Sequence, residues 1–195
     1  MMFKNVLMVV ALVAVAAAPS QAEQWKVDPV HSGVHFKVSH MVIAKVNGEF
    51  KEFDATLDFD GEDVSTASVQ ATAKTASIST DNERRDGHLK SPDFFDAEKY
   101  PEITFKSKKV IKGEGNKFQL VGDLTMRGVT KEVTFNCEFN GTVDFGQGIK
   151  AGFTATTTIN RQDFGVAWSK TLDSGGLVAG NDVEITLEFE FDKVA

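Results

Sequence analysis

The stretch Arg84-Arg85-Asp86-Gly87-His88-Leu89-Lys90-Ser91-Pro92-Asp93-Phe94-Phe95 gathers two arginines, two aspartates, a histidine and two phenylalanines into twelve consecutive positions. A histidine beside aspartates can move a proton, but acid–base catalysis also needs a nucleophile or an activated water within hydrogen-bond reach. The chain carries no nucleophile elbow, phosphate-binding glycine loop, cysteine pair or His-Glu-x-x-His helix. Catalysis by His88 or His40 is therefore the lesser reading, and no catalytic residue is assigned. Binding chemistry fits better. In a lid, Phe94 and Phe95 close over an apolar tail while Arg84, Arg85 and His88 meet a polar or anionic head group. In a plug, the phenylalanines complete a core and an arginine pairs with Asp86, Asp93 or Asp96.

The four histidines, His31, His35, His40 and His88, are enough in number for a transition-metal site. On a regular strand, however, His31 and His35 share one face and His40 the other, so three of them do not converge. Neither a metal site nor a cofactor is expected. His31-Ser32 reads as a hydrogen-bonding element at a strand end rather than a nucleophilic pair. Arg161 and Asp163 are candidates for an ion pair at a rim, with Arg161 a possible head-group contact. The only cysteine, Cys137, has no partner for an intramolecular disulfide and reads as a small buried hydrophobe.

The elements that must position these residues are strands. Apolar residues alternate with polar ones along Val34–His40, Val46–Phe59, Val69–Ala73, Ile103–Ser107, Phe118–Leu124, Val133–Phe139, Ala151–Ile159 and Val183–Phe191. The second run changes phase at Lys51-Glu52, as a β-bulge would make it do. Asp60-Gly61 and Arg127-Gly128 supply turn chemistry. Eight strands leave two exposed edges unless the sheet closes, so an antiparallel barrel is favoured over a two-sheet sandwich. The third and fourth runs are separated by a stretch long enough for a short helix, capped by Thr80 or Asp81 and ended near Pro92. That connection would cover one barrel mouth. Small inward residues (Ala71, Ala73, Gly122, Ala151, Ala155) fit either an open channel or a core in which phenylalanines interlock.

Residues 1–22 read as a secretory signal: Lys4 precedes an apolar run from Val6 to Ala18, followed by Ser20-Gln21-Ala22. Cleavage after Ala22 is expected, leaving residues 23–195 as one soluble domain without a membrane-spanning helix. Loss of the signal removes one lysine and no acid, which leaves 20 basic against 28 acidic residues and a formal charge of −8. That balance argues against a nucleic-acid partner.

The runs Trp25-Lys-Val-Asp28-Pro-Val-His31-Ser32-Gly-Val-His-Phe36-Lys-Val38-Ser-His40 and Gly48-Glu-Phe50 resemble the YceI-like family. So do His88-Leu-Lys-Ser91-Pro-Asp93-Phe94-Phe95-Asp96, Tyr100-Pro101-Glu-Ile103-Thr-Phe105-Lys-Ser107, Gly122-Asp-Leu124-Thr125-Met-Arg-Gly128-Val129-Thr130-Lys131 and Ile159-Asn160-Arg161-Gln-Asp163-Phe164-Gly165. The resemblance implies an eight-stranded, lipocalin-like antiparallel barrel, exported to the periplasm, whose apolar interior takes a polyisoprenoid or another long-chain lipid. Transient membrane contact is compatible with that role. The inward positions expected to line such a channel are Phe36, Val38, Phe50, Leu57, Phe105, Phe118, Leu120, Phe135, Phe153, Ile185, Leu187 and Phe189, with Phe94 and Phe95 above them. The alternatives are a lipid-modifying enzyme using His88 or His40 and a packed barrel acting through its outer surface as a stress-related protein-interaction factor.

Overall fold

The computed structural model describes residues 23–194; the expected signal and its cleavage point lie outside them. Among the described residues the strands are β1 (Glu23–Val27), β2 (Gly33–His40), β3 (Ala44–Phe50), β4 (Phe53–Phe59), β5 (Ser68–Lys74), β6 (Ile78–Ser79), β7 (Glu102–Lys112), β8 (Lys117–Met126), β9 (Val129–Asp144), β10 (Ile149–Asn160) and β11 (Ala179–Lys193). One helix, α1 (Glu83–Lys90), interrupts them.

β1 is hydrogen-bonded to both β4 and β11, so the order β1-β4-β5-β7-β8-β9-β10-β11 returns to its start and that ring has no edge. β2, β3 and β6 continue the walls begun by β1, β4 and β5: β2 pairs with the first part of β11, β3 with β2, and β6 with the end of β3. The eleven segments therefore make eight antiparallel staves of a closed barrel. The phase change at Lys51-Glu52 is a two-residue break between β3 and β4 rather than a one-residue bulge, and it lets Phe50 and Phe53 both point inward. β1 itself is not expected from alternation, because five residues give too short a run for the pattern to show.

The barrel's two ends are built differently. At one end lie the β4–β5 connection, the hairpin at residues 113–116 and the turn at residues 145–148. There Trp25, Leu57, Phe59, Ala151 and Phe191 are buried together, with Phe139 and Phe153 packed against them. A second cluster of Phe118, Leu120, Phe135 and Cys137 joins it. Phe153 meets four other rings: Phe139 at 5.0 Å, Phe59 at 5.7 Å, Phe191 at 6.0 Å and Phe118 at 6.4 Å between centroids. Tilted and edge-on contacts of this kind are the geometries that aromatic quadrupoles favour. This half of the interior is packed with aromatic rings.

The opposite end is formed by the β2–β3 turn, residues 80–101, the β8–β9 hairpin and residues 161–178. In the hairpin, Arg127 (φ 50°) and Gly128 (φ 73°) both take left-handed backbone, as a tight two-residue turn requires. The small inward residues divide between the two roles that the sequence leaves open. A side chain at Gly122 would collide with the Phe105 ring, so the ring fills that gap, whereas Ala71 and Ala73 face open space.

Candidate functional site

The open end encloses a cavity of about 330 Å³ whose wall is almost wholly apolar. β2, β3, β5, β7 and β11 supply most of the wall, and the segment after α1 covers it. Of the residues expected to line a channel, Phe36, Val38, Phe50, Phe94, Phe95, Phe105, Phe135, Ile185, Leu187 and Phe189 face this cavity. Leu57, Phe118, Leu120 and Phe153 do not. They have the correct inward parity but belong to the packed half, because alternation tells which face a residue takes and not its depth along the barrel. Phe53, Leu89, Leu124, Val166 and Trp168 line the cavity without having been singled out in the sequence. Phe53 had a visible signal in its strand periodicity. Trp168 had none, since it lies outside any strand.

α1 begins at Asn82, whose side-chain oxygen accepts a hydrogen bond from the Arg85 amide at 3.0 Å; Thr80 and Asp81 are not the cap. Thr80 has another task. Its amide and hydroxyl both donate to Asp86, while Arg85 donates through Nε to the Thr80 hydroxyl and through Nη2 to the Thr80 carbonyl. The expected pairing of an arginine with Asp86, Asp93 or Asp96 is replaced by this network. Arg84 lies exposed in a shallow groove outside the cavity, with Asn82, Arg85 and His88.

His88 closes the mouth mainly by its ring. It stands edge-on to Phe94 at 5.0 Å and to Trp168 at 5.5 Å, and its Nε2 lies 2.9 Å from an Asp93 carboxylate oxygen. Phe94 is buried, and its carbonyl accepts a hydrogen bond from Arg127 of the β8–β9 hairpin. Phe95 sets its edge against Phe50 at 6.0 Å. Residues 91–95 thus have the contacts of a plug seated above a cavity that also opens to solvent beside it.

Arg161 forms no ion pair with Asp163. It is 5% exposed, and its guanidinium donates to the carbonyls of Val166, Ala179 and Gly180 and to the Asn181 side chain. Burial holds its pKa below the ordinary arginine value. The side chain lines the mouth, but its position is explained by the loop it ties back to the start of β11.

The histidines stay apart. The one group of side chains with metal-like spacing among the described residues is Asp28, His31 and Glu190, and the Lys150 ammonium already sits between its carboxylates. Lys150 bonds Asp28 at 3.0 Å, Glu190 at 2.8 Å and Asp192 at 2.8 Å. The His31 and Lys150 hydrogen bonds hold Asp28 far below the usual carboxylate range, and the Asp28 hydrogen bond raises His31. Ser32 bonds the Glu190 backbone through its hydroxyl, donating to the carbonyl and accepting from the amide, as a strand-end element should. This cluster fastens the β1–β2 connection to β11.

The family model described as the YceI-like domain matches residues 25–191. A UPF0312 protein of Staphylococcus aureus is 40% identical over 168 residues, which cover 84% of this chain and 94% of that relative. Among solved structures, a Campylobacter jejuni YCEI protein is 34% identical with a TM-score of 0.71, covering 82% of this chain and 91% of the other. A polyisoprenoid binding domain from Saccharophagus degradans has the same fold, with a TM-score of 0.65 at 12% identity, covering 89% of this chain and all of the other.

Proposed function

Because the chain belongs to the YceI-like domain family and keeps an apolar cavity open at one end of its barrel, we propose that it binds and carries an amphiphile with a polyisoprenoid-type or similar apolar tail. The observation that carries this reading is the cavity itself: half of the interior is filled to aromatic contact while the other half, made of the same residue types, is hollow. A barrel selected only for stability would close that space, since unfilled volume forfeits packing energy. Burying about ten methylene groups releases about 8 kcal/mol gross, the scale of micromolar binding before association costs. The polar groups at the mouth, among them His40, Arg85 and His88, then meet the head group.

The β2–β3 turn suits such a carrier to a lipid surface. Met41, Val42 and Ile43 project from the mouth, Val42 69% and Ile43 89% exposed. Met41 (φ 50°) and Val42 (φ 66°) are both held in left-handed backbone, which is a true outlier for a β-branched residue. Strained residues of this kind cluster at functional sites. The turn leaves Val42 and Ile43 largely exposed beside the mouth, with a Val42 methyl against Gly176, and dipping this tip into a bilayer would bring the mouth to the source of its cargo. With the N-terminal run acting as a secretory signal, the place of action is the periplasm.

The reading is tested by equilibrating the folded protein with a fluorescent prenyl amphiphile. Saturable, competable uptake is the expected result, and the absence of uptake would exclude it. Turnover of the probe that disappears in His88→Ala would instead support a lipid-modifying enzyme.

A further inference from the structure

The connection from Val166 to Ala179 is pinned at both feet. Arg161 donates to the Val166 carbonyl at one foot and to the Ala179 and Gly180 carbonyls at the other. Between the feet the chain folds into a narrow ribbon. The Val178 amide donates to the Lys170 carbonyl at 2.8 Å, the Leu172 amide donates to the Gly176 carbonyl at 2.7 Å, and Thr171 bridges Leu177. The outgoing leg follows directly on Trp168, whose ring stacks on Phe94 of the mouth cover.

The returning leg is fastened to the β2–β3 turn. The Met41 amide donates to the Val178 carbonyl at 2.9 Å. A Val42 methyl lies so close to Gly176 that a Cβ there would come within 2.7 Å of it. Gly176 does not need to be glycine for its own backbone, because the left-handed φ of this turn is taken by Gly175 (87°). Its missing side chain makes room for Val42 instead. Val178 joins two connections, accepting from the exposed tip and donating to the leg that carries Trp168.

We propose that this contact is a latch sensitive to a lipid surface: burying the β2–β3 tip in a bilayer draws Val42 off Gly176 and frees the ribbon, so that the mouth opens where cargo is exchanged. This rests on the tip being a membrane contact and the cavity an amphiphile site. A surface shifts such an equilibrium only by as much as it favours one form over the other. In the latched form one face of Val42 is turned to Gly176 and the Trp168 ring to Phe94. In the released form both become available to the bilayer, where apolar surface leaves water and an indole ring suits the interface. In water the same release would only expose them, so the ribbon stays down.

The test is a reversible lock. The Val42 Cβ lies 3.9 Å from the position of a Cβ at residue 176, within the span that a disulfide bridges. Val42→Cys with Gly176→Cys therefore ties the tip to the ribbon, and Cys137 is buried elsewhere. Loaded with a fluorescent prenyl amphiphile, wild type should release it about tenfold faster on addition of saturating phosphatidylglycerol vesicles. The bridged protein should still float with the vesicles yet release at its vesicle-free rate, and reduction of the bridge should restore fast release. Gly176→Ala, whose methyl displaces Val42, should release about tenfold faster than wild type with no vesicles present, and it serves where the double variant does not fold. Equal stimulation of bridged and reduced protein overturns the latch, as does a wild type that floats without faster release or a Gly176→Ala that releases at the wild-type rate. A wild type that does not float overturns the membrane reading of the tip. A probe that never binds overturns the reading of the cavity.

Discussion

Phe94 lies on Trp168 with ring centroids 5.2 Å apart and planes 29° apart, joining the segment that covers the mouth to a loop more than seventy residues later in the chain. His88 presses its edge on both rings. Three aromatic side chains from two separate connections thus control one side of the entrance. Removing Trp168 should loosen the cover more than it empties the cavity. For Trp168→Ala, stopped-flow measurement with a fluorescent prenyl probe should show association and release both faster by about tenfold, equivalent to about 1.4 kcal/mol off each barrier, with the equilibrium affinity changed much less. Unchanged exchange rates would mean that ligand enters elsewhere.

Arg161 is a buried cation compensated by carbonyl dipoles instead of a carboxylate. Arg161→Ala leaves several half-buried acceptors without donors, and the expected cost is about 3 kcal/mol or more. Arg161→Lys should recover little, because one ammonium cannot span the directions covered by the planar guanidinium. Urea denaturation of both variants measures this. A lysine variant as stable as wild type would show that charge and not geometry is what the loop needs.

The strand-end cluster predicts a pH dependence with a definite sign. The hydrogen bond to Asp28 raises the His31 pKa above its ordinary 6.5, so the folded protein holds the proton more tightly than the unfolded chain. His31 then contributes stability that is complete below pH 6.5 and disappears as pH rises through the raised value. Asp28 works the opposite way: its depressed pKa contributes stability at neutral pH that is lost only in strong acid. Thermal unfolding of His31→Gln should fall below wild type at pH 5.5 and converge with it at pH 9. A constant difference across that range would contradict the assignment.

The strained turn gives a test in which stability and function separate. Val42→Gly removes the left-handed penalty, about 1–2 kcal/mol, and removes one apolar side chain from the tip. The variant should be as stable as wild type or more so, yet bind phosphatidylglycerol vesicles several-fold more weakly in flotation. Ile43→Ser should weaken vesicle binding similarly with no change in stability. If both variants float as wild type does, the tip is not a membrane contact.

Cys137 should be inert. Burial pushes its thiol up to about 12 and leaves it 6% exposed, so almost no thiolate is present at pH 8. An aromatic disulfide reagent should react with it in urea and not with the native protein. Fast native labelling would show that the packed half of the barrel opens.

Strand alternation made the wall of the barrel legible before any coordinates, because a two-residue period fixes which face each side chain takes. It could not say that Phe189 faces a cavity while Phe153, on the neighbouring strand, packs among four rings. Depth depends on stagger between strands, and stagger is a long-range property. The stretch at residues 84–95 was visible as a cover because charge and aromatic residues interrupt the alternation. Its partners were not: Trp168 and Arg127 reach it from connections whose course depends on the closed barrel. The same holds for Arg161, where a nearby aspartate suggested an ion pair and the fold supplied carbonyl groups instead.

The central claim, that the hollow half of the barrel holds an amphiphile, is tested most directly by mass spectrometry of an organic extract of the protein isolated without detergent. Ala71→Trp is the control, since its indole would occupy the cavity without placing a charge in the core. The expected result is an apolar-tailed amphiphile near one per protein in the wild-type extract and at least tenfold less in the variant. A folded wild-type protein that yields no such molecule, and takes none up from added fifteen-carbon prenyl alcohol, would contradict the account.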